Sequence, residues 1–209
     1  KYVNNYICLN NNDVIVLKKQ NQKVDFETKH LYEMKNITYK DLALTPDPYS
    51  HWTIKEIYEQ FESSARSINF GGRLLDDNKV KLGGLDNNKN KLLDIDHLIL
   101  LGCGSSYHAS IHGSYFFKDL DDFTTVQAID AGEFNSRDIP KKGNTALIVL
   151  SQSGETKDVY YCLEIAKKYN LFTIGIVNVV DSLIAREVNC GVYLNAGREV
   201  GVASTKAFT

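Results

Sequence analysis

Two stretches of this chain carry apolar residues, then glycine and hydroxyl side chains, then a helical pattern. They are Leu100-Leu101-Gly102-Cys103-Gly104-Ser105-Ser106 and Val149-Leu150-Ser151-Gln152-Ser153-Gly154-Glu155-Thr156. Hydroxyls and a carboxamide are neutral groups that donate and accept hydrogen bonds, so they suit a polyol. The N–H groups at a helix start have no carbonyl partner within the helix and suit an anion. Ser105, Ser106, Ser151, Gln152, Ser153 and Thr156 together therefore point to a sugar phosphate. A serine near a helix start is on its own more often an N-cap. Two such loops, holding more hydroxyls than two caps require, favour a ligand site.

Other chemistries fit less well. Gly102-Cys103-Gly104 opens like a dinucleotide-binding turn, with Asp130 ending the next strand, but Tyr107 stands where the third glycine belongs. No Gly-Lys-Ser/Thr follows either loop, which excludes a P-loop. His108 and His112 have the four-residue spacing of a metal pair, yet no third ligand stands near them in sequence, so neither a metal nor a cofactor is expected. Cys103 precedes a helix start, which can lower a thiol pKa, but no partner base is evident and packing is the simpler reading. Glu155 fits the first turn of a helix, where the dipole favours a carboxylate, and Lys206 a surface helix position. No catalytic residue is expected in the chain.

These loops need a scaffold that brings them together. Continuous apolar runs at 97–101, 125–129, 145–150, 172–177 and 190–194 alternate with helical patterns at 106–118 and 156–169. That alternation predicts a three-layer, doubly wound α/β fold with a five-stranded parallel sheet whose strands are buried on both faces. In the flavodoxin-like strand order 2-1-3-4-5 the first and third strands are neighbours, and the two loops face one crevice. Earlier in the chain, Thr53-Ile54-Lys55-Glu56 has the form of a capping box, and Ile54, Ile57, Tyr58, Phe61, Ala65 and Ile68 form one apolar stripe, predicting a helix that ends by Gly71-Gly72. Residues 76–94 read as a polar connection. Residues 2–9 and 14–17, around an Asn-rich turn, predict a hairpin too small to bury a core of its own.

Composition sets the outer bounds. The chain has 209 residues, 43% hydrophobic and 24% charged, which is the balance of an ordinary globular protein. A net charge of −2 with interspersed signs offers no field to attract nucleic acid. No apolar run is long enough for a membrane span and no signal-peptide pattern is present, so a cytoplasmic protein is expected. The 4 cysteines are widely spaced, without a C-x-x-C pair. The missing initiator methionine, and a helix-like run from Val200 to Thr209 without a stop signal, suggest a piece of something longer.

At three places the sequence resembles the glutamine:fructose-6-phosphate aminotransferase (isomerising), or glucosamine-6-phosphate synthase, family. They are Gly102 to Tyr107, Ser151 to Thr156 and, most specifically, Glu199-Val200-Gly201-Val202-Ala203-Ser204-Thr205-Lys206-Ala207-Phe208-Thr209. His51 to Gln60 is similar to the family's segment before its first sugar isomerase (SIS) domain. The resemblance implies three parts: the last strands of a glutaminase domain over 1–36, a linker and helix over 37–70, and a first SIS domain over 71–209. It implies that Ser105, Ser106, Ser151, Gln152, Ser153 and Thr156 bind the sugar phosphate, with Val202 and Ser204 at the sugar end. It also implies that fructose 6-phosphate and glucosamine 6-phosphate are the ligands, that the glutaminase and second SIS domains lie outside the chain, and that the intact protein forms a homo-oligomer. A sugar-phosphate sensor or another SIS isomerase are the alternatives. Ser105 replaces the family's usual Thr and keeps the hydroxyl; Asp181 and Arg198 are further departures.

Overall fold

The computed structural model describes residues 5–10, 12–21, 23–27, 30–36, 45–76, 79–120 and 122–209. The chain divides into two compact units, Lys1–Leu44 and Thr45–Thr209. In the first unit, β1 (Asn5–Tyr6) pairs antiparallel with β4 (Lys35–Asn36), and β2 (Val16–Gln20) pairs antiparallel with β3 (Lys23–Glu27). The expected hairpin therefore forms one strand further on. Asp13 closes the Asn-rich turn through Asn10, but the ribbon itself reverses beside Asn21, whose φ of +47° suits a tight turn. Leu17 and Phe26 pair across this ribbon and remain exposed, as two strands alone cannot bury a core.

The second unit opens with α1 (Trp52–Tyr58) and α2 (Gln60–Ser67), separated at Glu59, which keeps near-helical geometry. Two expectations fail here. His51 is the N-cap and Glu56, only 1% exposed, lies against the 200–205 segment, so the capping box does not form. The apolar stripe is exposed, Phe61 at 89%, because the face carrying Glu56, Ser63 and Arg66 is the one turned inward. The expected polar connection also holds structure: a hairpin of β5 (Leu74–Asp76) and β6 (Lys79–Val80), then α3 (Gly83–Asp86) and α4 (Lys89–Leu93). Leu85 and Leu92 supply the reason, since both pack on the core.

Five strands follow: β7 (His97–Gly102), β8 (Thr125–Asp130), β9 (Thr145–Ser151), β10 (Phe172–Val177) and β11 (Cys190–Tyr193). All pair in parallel, in the order β11-β10-β9-β7-β8, which is the expected 2-1-3-4-5. The helices are α5 (Ser105–Asp119), α6 (Lys157–Lys168) and α7 (Leu183–Glu187). Alternate residues of β7 point to opposite faces. Ile99 and Leu101 meet Val159, Cys162, Leu163 and Ala166 of α6, while Leu98 and Leu100 meet a second cluster that includes Phe117 of α5. This is why β7 reads as unbroken apolar sequence: each fully buried Leu or Ile contributes about 1.5–3 kcal/mol on whichever face it enters. From Val200 onward the chain runs in bends and turns rather than the expected helix.

Cys162 is 1% exposed and its thiol reaches the Ala131 carbonyl at 3.3 Å. Burial above all, with the nearby Cys103, pushes this thiol from its ordinary 9.0 up to about 12. The unfolded chain ionises Cys162 near its ordinary value and the folded chain does not, so this contribution to stability is intact below pH 9 and is lost as pH rises through about 12. Denaturant melts across pH 8–11 should therefore show wild type losing stability relative to Cys162→Ala, which has no thiol to ionise. Parallel curves for the two proteins would contradict the buried, protonated thiol.

Candidate functional site

The two serine loops leave the carboxyl ends of β7 and β9, which are hydrogen-bonded neighbours, so Leu101 lies opposite Val149 and both chains turn into helices on the same rim of the sheet. The first turn is tight because Gly102 lies against the Ser106 backbone, where a Cβ would stand 2.7 Å from its carbonyl carbon. Between the loops is a cavity of about 190 Å³. Ser106, Ser151, Gln152 and Ser204 supply its polar wall, with Ala109, Leu150, Ile176 and Phe208 among its apolar lining.

The hydroxyls are not helix caps. Gly104 is the N-cap of α5 and makes no side-chain bond; Thr156 is the N-cap of α6, and its side chain caps nothing. Instead Thr156 Oγ1 lies 2.9 Å from Ser151 Oγ, which also accepts the Gly154 N–H at 3.0 Å. Ser153 Oγ accepts the Glu155 N–H at 3.1 Å, folding the loop on itself. Ser105 Oγ accepts the Ser204 N–H at 3.3 Å and so ties the 199–209 segment to the first loop. Of the eight residues expected at the site, Ser106, Ser151, Gln152 and Ser204 line the cavity, and Ser105, Ser153 and Thr156 adjoin it through loop contacts. Val202 stands 107% exposed and is not part of the lining.

The groups weighed for acid–base chemistry are otherwise engaged. Glu155 precedes the N-cap of α6 instead of sitting in its first turn, and its Oε1 accepts the Leu183 N–H at the start of α7 at 2.8 Å. Lys206 is no surface helix residue: it is 6% exposed, and its Nζ meets Glu59 Oε2 at 2.5 Å. Its sequence signal was hidden because the partner lies 147 residues away, on α1–α2. Burial, with the charges of Asp130 and Asp158, holds the Cys103 thiol above its ordinary pKa, opposite to the helix-start effect. Asp130 spends its carboxylate on the Gly132 N–H at 3.0 Å. His112 meets Phe116 edge-on, and among the described residues no group of three or more His, Cys, Asp or Glu could hold a metal ion. No helix of the described residues is long and apolar enough to cross a membrane.

A larger cavity, about 720 Å³, lies at the opposite rim, where Thr145 and Phe172 begin β9 and β10. The serine loops and the N-termini of α5 and α6 are absent from that rim, so its size does not make it the better anion site.

Comparison with known proteins agrees with this architecture. Residues 91–209 match the SIS domain family. A probable glutamine–fructose-6-phosphate aminotransferase (isomerizing) of Acanthamoeba polyphaga mimivirus is 42% identical over 207 residues, covering 99% of this chain and 33% of its own length. The Chlorobaculum tepidum glutamine–fructose-6-phosphate aminotransferase is 34% identical over 212 residues, covering 100% of this chain and 34% of its own. The chain thus spans about a third of the length of these relatives. Among solved structures, the C-terminal domain of glucosamine-fructose-6-phosphate aminotransferase from Francisella tularensis superposes with a TM-score of 0.68 at 33% identity, over 78% of this chain and 45% of that one. With a parallel sheet in the expected order, paired loops at its carboxyl rim and a family match over its second half, the chain belongs to the SIS domain family.

Proposed function

We propose that residues 71–209 bind fructose 6-phosphate, and its product glucosamine 6-phosphate, as the first SIS domain of a glutamine–fructose-6-phosphate aminotransferase. The observation that carries this reading is the convergence of Ser106, Ser151, Gln152 and Ser204 on one cavity between two helix starts. The dianionic phosphate would take the hydroxyls of the Ser151–Thr156 loop and N–H groups from the α5 and α6 ends, each charge-assisted bond contributing roughly 1.5–3 kcal/mol. The sugar hydroxyls would meet Gln152, Ser204 and the Ser105–Ser106 turn. Val202 joins the set on the family resemblance alone.

In this reading the chain binds and orients, and the reaction is completed elsewhere in a polypeptide about three times as long. Opening a sugar ring and moving a proton between carbons need an acid, a base and an amine. Glu155 and Lys206 are both held in structural contacts, and the rest of the site consists of hydroxyls, an amide and N–H groups. Glutamine hydrolysis and isomerisation would then belong to the glutaminase and second SIS domains. The test is a product assay beside a thermal-shift titration. The chain is expected to form no glucosamine 6-phosphate from fructose 6-phosphate with glutamine or ammonium, yet to melt at higher temperature with fructose 6-phosphate and not with a nicotinamide dinucleotide. Product formation that vanishes in Glu155→Gln would overturn the division of labour, and a shift with the dinucleotide alone would overturn the ligand class.

A further inference from the structure

We propose that Glu56 and Glu199 are positioning residues for the sugar-phosphate cavity, acting from outside it by holding residues 199–208 as one of its walls. Ser204 and Phe208 line the cavity, but the segment carrying them is neither helix nor strand. A wall without ladder hydrogen bonds needs other anchors. Glu56 Oε1 accepts the Val200 N–H at 2.5 Å and the Gly201 N–H at 3.0 Å. Glu199 Oε2 accepts the Ser204 hydroxyl at 2.7 Å, and its Oε1 accepts the Thr205 N–H at 2.7 Å. The Thr205 hydroxyl bridges the two carboxylates, 3.1 Å from Glu199 Oε1 and 3.4 Å from Glu56 Oε2. Lys206 on Glu59 and the Ser63 hydroxyl on the Lys206 carbonyl extend the same seam along α2.

The result is directional. With the Ser204 hydroxyl held by Glu199, its N–H falls on Ser105 Oγ, joining the wall to the first serine loop. Neither carboxylate lines the cavity, so neither is expected to touch the ligand. Glu56 is buried, and losing its carboxylate leaves two amides without an acceptor, a larger loss than that of an exposed ion pair. Gly201 fits because a Cβ there would stand 2.6 Å from Glu56 Oε2.

The proposal rests on the sugar-phosphate reading, and its test separates the two. Glu56→Gln keeps one acceptor oxygen but presents an NH2 where the second carboxylate oxygen faced Gly201 and Thr205. Gly201→Ala disturbs the same contact from the loop side and leaves Glu56 intact. Amide hydrogen exchange and fructose 6-phosphate affinity are measured for both, with core variant Ile99→Val as a control for lost stability. Both variants are expected to speed exchange at Val200, Gly201 and Thr205, leave Leu147 and Val149 protected, and raise Kd roughly tenfold or more, equivalent to about 1.4 kcal/mol. Ile99→Val should leave Kd unchanged. Faster exchange with unchanged Kd would overturn the positioning role alone. Unchanged exchange would overturn the anchor. A wild-type chain that binds no sugar phosphate would remove the underlying reading and the proposal with it.

Discussion

Gly154→Ala is expected to abolish sugar-phosphate binding and to cost roughly 2–5 kcal/mol of stability. Gly154 sits at the centre of the Ser151–Thr156 loop with φ at +67°, where an L side chain strains the backbone. A Cβ there would also stand 1.9 Å from Ser182 Oγ and 2.4 Å from Ser182 Cβ, a clash that small adjustments do not relieve. Relief must come from moving the loop or α7, and the loop carries the Ser151 bond to the Gly154 N–H. Ser182 allows the cause to be isolated. Among the described residues its buried hydroxyl has no hydrogen-bond partner, so Ser182→Ala alone should cost little. Ser182→Gly on top of Gly154→Ala should recover the steric part and leave the strain. Denaturant unfolding of wild type, Gly154→Ala, Ser182→Gly and the double variant closes the cycle. Coupling above about 1 kcal/mol is expected, and strictly additive effects would show that the clash is not what matters.

Thr156→Val is expected to weaken fructose 6-phosphate binding by roughly ten- to a hundredfold while costing the fold about 1 kcal/mol or less. The swap keeps the side chain's size and removes a hydroxyl that caps no helix. Ser151 Oγ loses one contact and keeps the Gly154 N–H, so the loop retains its internal bond. Calorimetric affinity measured beside a denaturant melt separates the effects. A lower melting midpoint with wild-type affinity would return Thr156 to the role of a structural residue.

The sheet was legible because burial on both faces writes itself as unbroken apolar runs: Phe172 to Val177 reads as one strand and forms one. The loops were legible because each follows an unbroken apolar run and the two together hold more hydroxyls than two helix caps require. What could not be read lies in contacts between distant residues. Glu56 fits a local capping pattern, but its partners are Val200 and Gly201, 144 and 145 residues away. The periodicity of Ile54, Ile57 and Phe61 correctly gives a helix, yet periodicity says only that two faces differ. Here the polar face packs inward, since it alone meets the backbone N–H and C=O groups of the 195–206 segment. Lys206 was misplaced for the same reason: the apolar pattern around it belongs to a wall of turns held by α1–α2.

Mapping the bound ligand tests the central claim most directly. Backbone amide resonances of the 209-residue chain would be followed by NMR during a fructose 6-phosphate titration. Saturable shifts are expected at Ser105, Ser106, Gln152, Ser153, Gly154 and Ser204, while Thr145, Phe172 and Thr173 at the opposite rim stay unmoved. Shifts confined to that opposite rim, or no shifts at millimolar ligand, would contradict a sugar-phosphate site between the two serine loops.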